Sequence, residues 1–340
     1  MRSKASPTIT TIAEAAGVSI ASVSRVFNGL PVRAETERRV LAAADRLGYV
    51  PNAVARSLKS NRTQQVAFAV ADIGNPVYLA MLREIQPVLK AGGYRLVLHS
   101  TGADVGEEIE VLRGLGRRHA DGLIISPIRV TGELLREIDG LTAPAVVIGS
   151  LPDGARVDNV RADSRTGIDL ALRHLADLGR RRIGFVNGPL DTVPGRHRDT
   201  AFRAAMARGG LPVDEGLVHV GAFQRDTGFE ATRRLLDRSP GPDALLCAND
   251  LIALGALDAL RAAGRDVPGD VAVVGMDDTE LAAVSWPTLT SVSLGSAERG
   301  RRAAELLLDR LRTPDTGPPA QVITVAPHLV VRASTSGGDR

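Results

Sequence analysis

Thr8-Ile9-Thr10-Thr11-Ile12-Ala13-Glu14-Ala15-Ala16-Gly17-Val18-Ser19-Ile20-Ala21-Ser22-Val23-Ser24-Arg25-Val26-Phe27-Asn28 carries two short amphipathic helices and the turn that joins them. Thr8 stands where a side-chain oxygen caps a helix over 9–16, and Glu14 falls on its polar side. Gly17 supplies the positive φ of a tight turn. Ser19 caps a second helix over 20–28, in which Val23, Val26 and Phe27 make an apolar stripe. A third helix over 34–47 turns Val40, Leu41, Ala44 and Leu47 inward and stops at Gly48. Arg33 precedes it without a capping hydroxyl. Two helices joined by Ala-Gly-Val-Ser, with a third packed across them, form a helix-turn-helix unit.

Moving outward, Pro51 opens a helical stretch over 51–58 that is too short to hold in water without a partner. Residues 59–64 read as a hinge. From 65 the rhythm becomes strand, helix, strand, helix. Strands are expected at 66–71, 95–99, 122–126, 145–149, 182–187, 218–220, 244–248, 271–275 and 329–332. Helices are expected at 76–91, 106–118, 164–178, 199–208, 227–237, 251–263 and 297–311. That alternation means parallel sheets with helices on both faces, in two similar halves. In such folds ligands sit at the carboxyl ends of the strands.

The 340 residues are 44% hydrophobic and 24% charged, which excludes a wholly disordered chain. Charge is uneven along it. Residues 1–62 hold ten Lys/Arg against four Asp/Glu, and the remainder holds 32 against 35. A basic module on a slightly acidic body suggests a polyanionic partner, although a merely solvated basic face reads the same on charge alone. The apolar runs are far shorter than a membrane span, so no membrane association is expected. The opening residues lack an apolar signal core, and a cytoplasmic location is expected. Cys247 is the only cysteine, and the histidines at 99, 119, 174, 197, 219 and 328 are scattered, so neither a metal site nor a cofactor is expected. His197 could line a cleft beside Arg198, although a surface place is the preferred reading.

The stretch 8–29 resembles the headpiece of the LacI/GalR family of bacterial transcription regulators. Leu47-Gly48-Tyr49-Val50-Pro51-Asn52-Ala53-Val54-Ala55-Arg56-Ser57-Leu58 is similar to that family's hinge helix. The likeness continues through Asp72-Ile73-Gly74-Asn75-Pro76, Gly188-Pro189, Ala248-Asn249-Asp250, Val274-Gly275-Met276-Asp277-Asp278 and Pro287-Thr288-Leu289-Thr290-Ser291-Val292. Ordered blocks along nearly the whole chain are a far more specific signal than one helix-turn-helix match.

The resemblance implies a helix-turn-helix DNA-binding domain over 1–50, a hinge over 51–64 and a two-lobe, periplasmic-binding-protein-like α/β core over 65–340. Its N-lobe would comprise about 65–162 and 292–322, and its C-lobe about 163–291 and 323–336. It implies a homodimer on a pseudopalindromic double-stranded DNA operator, controlled by a small, sugar-like effector. The second helix would enter the major groove, with Arg25 able to pair bidentately with guanine. Ile20 and Ala21 could touch thymine methyls or, alternatively, pack within the headpiece. Thr8, Ser19, Ser22 and Asn28 carry groups suited to phosphates. Ala55, Arg56 and Leu58 would enter the minor groove, Leu58 as an apolar wedge.

For the effector cleft the resemblance points to Arg198, Asn249 and Asp277, with Phe223 and Tyr78 as apolar walls and Asn75 and Ser126 as further strand-end candidates. Asp277 or Asp278 could instead serve as a helix cap or in an ion pair between lobes. The stripe Tyr78, Leu79, Leu82 and Ile85 could join a dimer contact or be core. Two departures stand out: Gly149 where many members are acidic, and Leu294 where many have Gln. A ligand smaller or less hydroxylated than a hexose, or other contact residues, would follow.

A solute-binding protein would share the two-lobe core but needs no headpiece. An enzyme is not expected, because the chain lacks a Gly-x-x-x-x-Gly-Lys-Ser/Thr loop, a Gly-x-Ser-x-Gly elbow and a His-Glu-x-x-His pair. A ligand-controlled repressor is the leading reading, with corepression equally compatible and an activating regulator of the same fold as a further alternative.

Overall fold

The computed structural model describes residues 7–50, 62–238, 240–313 and 319–336. Two compact units emerge, 1–63 and 64–340. The expected hinge helix, and with it Ala55, Arg56 and Leu58, falls outside the described residues.

The first unit contains α1 (Ile9–Ala16), α2 (Ile20–Phe27) and α3 (Ala34–Leu47). Thr8 and Thr11 cap α1 reciprocally, and Ser19 accepts from the Ser22 N–H to start α2. No side-chain cap starts α3, as Arg33 in that place predicts. Ile12, Ala13, Ala16, Val23, Val40, Ala43 and Ala44 are buried together, with Phe27 against Tyr49 at the edge. Leu41 and Leu47 are exposed, contrary to the expected inward face. Leu41 lies one residue, about 100°, from Val40, and Ala43 takes the inward place.

The second unit holds two six-stranded sheets. The first consists of β1 (Gln65–Val70), β2 (Arg95–Ser100), β3 (Gly122–Ser126), β4 (Ala145–Ile148), β5 (Asp158–Ala162) and β11 (Val322–Val325), in the order β11-β5-β4-β3-β1-β2. The second repeats that order with β6 (Ile183–Asn187), β7 (Val218–Val220), β8 (Ala244–Cys247), β9 (Ala272–Met276), β10 (Thr290–Ser293) and β12 (His328–Val330), as β12-β10-β9-β8-β6-β7. All neighbours run parallel except β12, which pairs antiparallel with β10. In β1, Val66, Phe68 and Val70 join one apolar cluster while Ala67 and Ala69 join another, so both faces of the strand are covered.

Helices α4 (Pro76–Ala91), α5 (Val105–Gly116), α6 (Gly132–Asp139) and α12 (Ser296–Arg312) cover the first sheet. Around the second lie α7 (Ser164–Asp177), α8 (Val193–Arg208), α9 (Arg225–Leu236), α10 (Asp250–Ala262), α11 (Glu280–Val284) and α13 (Ala333–Ser336). On α4, Tyr78 and Ile85 are core, Leu82 is half-buried and Leu79 is exposed, so the expected stripe is divided rather than presented as one face.

Three strands escaped the hydrophobic pattern. The residues of β5 and β10 are largely polar yet buried, and their side chains are satisfied internally. Asp158 takes a two-toothed ion pair from Arg310, while Thr290 and Ser291 bond to neighbouring hydroxyls and to Asp250. A half-exposed edge strand, β11, belongs to the first sheet through Val325. The chain therefore crosses between sheets after Ala162, after Ser293 and after Val325, the last two slightly beyond the 291 and 322 expected.

Candidate functional site

Two groups of residues are assembled, one in each unit. On α2, Ile20, Ala21 and Arg25 are exposed and Ser22 is half-exposed, with Ser19 and Asn28 exposed at its ends. Ile20 and Ala21 are thus outside the headpiece core, which removes the packing alternative for them. Arg25 makes no ion pair among the described residues. Asn28 is already engaged, donating its amide to the Ser24 carbonyl at 2.7 Å and hydroxyl at 3.2 Å, so its amide N–H groups are committed within the headpiece.

In the second unit, a cavity of about 450 Å³ lies over the carboxyl ends of the strands of both sheets. Asn75, Tyr78, Ser126, Arg198, Phe223, Asn249 and Asp277 all line it. Asn75, after β1, caps α4 by accepting from the Val77 N–H at 3.1 Å. Tyr78 follows one turn later, and burial pushes its phenol up to about 12, an effect that a hydrogen bond with Ser126 moderates.

Thr192 caps α8, and Pro194 follows in its first turn. The helix begins at Val193 rather than the expected 199, which sets Arg198 in its second turn instead of a loop. There the guanidinium is 7% exposed, donates to the Ala248 carbonyl at 2.6 Å, and stands 3.9 Å from an Asp277 carboxylate oxygen. The Phe223 ring lies 5.8 Å from its centre, at cation–π range. Its Nε is buried with no partner.

Phe223 reaches this position because residue 188 is glycine, where a Cβ would lie 2.0 Å from the ring. Asn249 caps α10, accepting from the Ile252 N–H at 2.9 Å, and donates to the Phe223 carbonyl at 3.3 Å. That contact is possible because α9 and α10 touch through glycines: a Cβ on Gly228 or Gly255 would each sit 1.9 Å from a backbone carbonyl oxygen of the other helix.

Asp277 and Asp278 follow β9 with φ of 105° and 49°, a region unfavourable for side-chain-bearing residues. Asp250 holds this bend from behind. Its buried carboxylate accepts from the Thr279 N–H at 2.7 Å, the Thr279 hydroxyl at 2.9 Å and the Ser291 hydroxyl at 2.6 Å. Burial and the nearby Asp277 carboxylate raise its pKa to about 7. Asp278 turns away to pair with Arg332 at 2.6 Å, whereas Asp277 faces the cavity, raised by burial against the opposing pull of Arg198 and Arg299.

Gly149 lines the cavity with φ 146°, a backbone that L residues rarely adopt, and this accounts for the missing acid there. Leu294 contributes an apolar wall. Three contacts span the two lobes near the rim: Gln224 to Asp72 at 3.1 Å, the Val193 N–H to the Ile128 carbonyl at 2.7 Å, and Arg129 to Asp191 at 2.7 Å.

The lining also holds His197, for which the surface was the preferred place, and Arg299, which was not foreseen. His197 lines the cavity, its pKa lowered by burial and by Arg196, Arg165, Arg198 and Arg161. Arg299 is 7% exposed on α12, donating to the Leu294 carbonyl and the Ser296 hydroxyl at 3.1 Å each. A sequence signal existed for the arginine: it interrupts the buried stripe at 296, 300, 303, 304, 307 and 311. Among the described residues, no group of His, Cys, Asp or Glu could hold a metal ion, and no helix is long and apolar enough to cross a membrane.

Comparison with known proteins places both units. Residues 8–52 match the model of bacterial regulatory proteins of the lacI family, and residues 172–335 match that of a periplasmic binding protein-like domain. The HTH-type transcriptional regulator CelR of Thermobifida fusca is 38% identical over 98% of this chain and 100% of its own. The ribose operon repressor of Escherichia coli K12 is 36% identical, over 96% and 99%. Among solved structures, a CelR–cellobiose complex superposes with a TM-score of 0.72 at 36% identity, covering 96% and 99% of the two chains. A lac repressor dimer bound to operator and the anti-inducer ONPF gives 0.85 at 26%, covering 97% and 99%. With relatives of this identity matched from end to end, the chain belongs to the LacI family of bacterial regulatory proteins, and is a DNA-binding transcriptional regulator rather than an enzyme.

Proposed function

We propose that this chain is a cytoplasmic repressor in which a small molecule, held between the lobes of the core, lowers the affinity of a headpiece dimer for a pseudopalindromic operator. The supporting observation is the convergence of seven residues, named from sequence motifs, on one cavity at the carboxyl ends of both sheets. Asn75, Tyr78 and Ser126 belong to one lobe and Arg198, Phe223, Asn249 and Asp277 to the other. A ligand touching both sets binds closed lobes more tightly than open ones and so shifts the population between them. In a dimer that shift reorients the attachment points of the two headpieces, and the coupling is reciprocal: operator DNA must weaken effector binding by the same factor.

At the operator, Arg25 reads guanine, Ile20 and Ala21 contact thymine methyls, and Thr8, Ser19, Ser22 and Asn28 settle against the backbone and its hydration. By family likeness, residues 51–64 act as the hinge, with Ala55, Arg56 and Leu58 at the minor groove. Such a hinge links the 1–50 DNA-binding domain to the core.

The test is operator affinity of the purified dimer, measured with and without metabolite extract from the source cell, for wild type and Arg198→Ala. The expected result is extract-dependent release of DNA by wild type and none by the variant, with extract-free affinity equal in both. A variant that responds like wild type would remove Arg198 from the site. Tighter binding with extract would reverse the sign to corepression.

A further inference from the structure

Two buried guanidiniums line the cavity, yet of the two carboxylates that line it with them only Asp277 is paired with either. Arg198 has Asp277. Arg299 has neutral partners only, the Leu294 carbonyl and the Ser296 hydroxyl, and makes no ion pair among the described residues. Its Nη1 donates to no protein acceptor among those residues, and the Arg198 Nε is also without one. Arg299 feels both the attraction of Asp277 and the repulsion of Arg198, and burial lowers its pKa to about 10, well above neutrality, so it stays charged.

The remaining groups do not restore the balance. His197 is held toward its neutral form by burial and four arginines. Asp72 also lines the cavity, half-buried, but its carboxylate pairs with neither guanidinium and already accepts from Gln224 and from the Gly74 N–H. Asp250 is turned away, with its three donors behind the Asp277 bend. At position 149, where an acid would repel an anion, the backbone demands glycine. A buried, unpaired charge costs several kcal/mol, which a bound counter-charge recovers.

From this unpaired buried charge we infer that the effector of this chain is an anion, a carboxylate- or phosphate-bearing small molecule of sugar size whose acidic group is shared by Arg299 and Arg198. The guanidinium fork suits planar or tetrahedral oxyanions through paired N–H donors. Leu294 and Gly149 offer no hydrogen-bonding side chain at their own positions, while Asn75, Ser126 and Asn249 remain in the lining for the ligand's hydroxyls. The inference rests on the cavity being the effector site, as proposed above.

Metabolite extract from the source cell, separated on an anion-exchange column into a retained anionic pool and an unretained neutral pool, is the probe. Each pool is added to the full-length protein, and thermal midpoint and operator affinity are read for wild type, Arg299→Met and Arg299→Lys. The anionic pool should raise the wild-type midpoint and change operator affinity, and the neutral pool should do neither. Loss of one buried charge partner weakens such contacts by 2 kcal/mol or more, so Arg299→Met should need roughly thirtyfold more of the anionic pool for the same response. Arg299→Lys should retain part of it. Extract-free operator binding by Arg299→Met shows that the variant is folded, and a variant that fails this check leaves the pool comparison on wild type and Arg299→Lys to decide. Activity in the neutral pool alone would overturn the anionic assignment and leave the effector cleft standing. Activity in neither pool on wild type would contradict the cleft itself. Elution before or after inorganic phosphate standards, with sensitivity to phosphatase, separates phosphates from carboxylates.

Discussion

Replacing Asp250 with asparagine isolates the cost of holding the bend that carries Asp277. The carboxylate is 1% exposed and accepts three hydrogen bonds, and its pKa is raised from 3.8 to about 7. Raising the folded pKa of an acid favours its protonated form, so stability is fully present below the unfolded pKa and is lost as pH climbs through the folded one. The window is therefore about pH 4 to 7. With each pH unit of displacement worth about 1.4 kcal/mol, the wild type should lose roughly 2–3 kcal/mol between pH 5 and pH 8 from this group alone.

Asparagine keeps the shape without the titration. Urea unfolding followed by circular dichroism should give a wild-type stability that falls between pH 5 and 8 by about that much more than the variant's. The absolute offset is a separate matter, since one amide face must meet a donor that the carboxylate used to accept, which costs on the order of 1–3 kcal/mol. Parallel pH profiles for the two proteins would refute the reasoning, because Asp250 would then ionise without cost behind the Asp277 bend.

Arg25→Ala should cost about 1–3 kcal/mol of operator affinity, read by fluorescence anisotropy, while binding to random DNA at the same salt changes little; equal loss on both would mean a phosphate contact instead. Gly188→Ala places a methyl 2.0 Å from the Phe223 ring, so the ring must leave the cavity wall and Arg198 loses its cation–π neighbour. Titration of the extract response should show it weakened by roughly 0.5–2 kcal/mol, with extract-free operator binding intact. Glu108 is 1% exposed with one carboxylate oxygen unpartnered, and burial raises its pKa to about 7. Glu108→Gln should stabilise the protein by roughly 1–3 kcal/mol at pH 8, and the gain should shrink at pH 5, where the wild-type acid is protonated; a gain equal at both pH values would contradict a buried charge there.

Much of this was legible beforehand because the signals were local. Capping hydroxyls at Thr8 and Ser19 and positive-φ glycines at 17 and 48 fix the headpiece helices without tertiary help. Apolar runs such as 66–71 mark strands buried on both faces. What stayed hidden depends on partners distant in sequence. The polar stretch Thr290–Ser293 is a strand because Asp250 and Thr335, both far along the chain, satisfy its hydroxyls. Arg198 became helical through a Thr-Val-Pro start that competes poorly on periodicity alone. Arg299 belongs to no motif, and its one signal, a charge interrupting an apolar stripe, does not say what it faces; the packing of α12 along the first lobe puts it in the cavity lining.

The most direct measurement of the regulator reading is selection from sheared genomic DNA of the source cell by the purified wild-type protein, with sequencing of the bound fragments, run with and without metabolite extract. One short pseudopalindrome should be enriched in one of the two conditions and depleted in the other, and Arg25→Ala should lose that enrichment. Bound fragments without a shared motif in both conditions would contradict sequence-specific, ligand-controlled DNA binding.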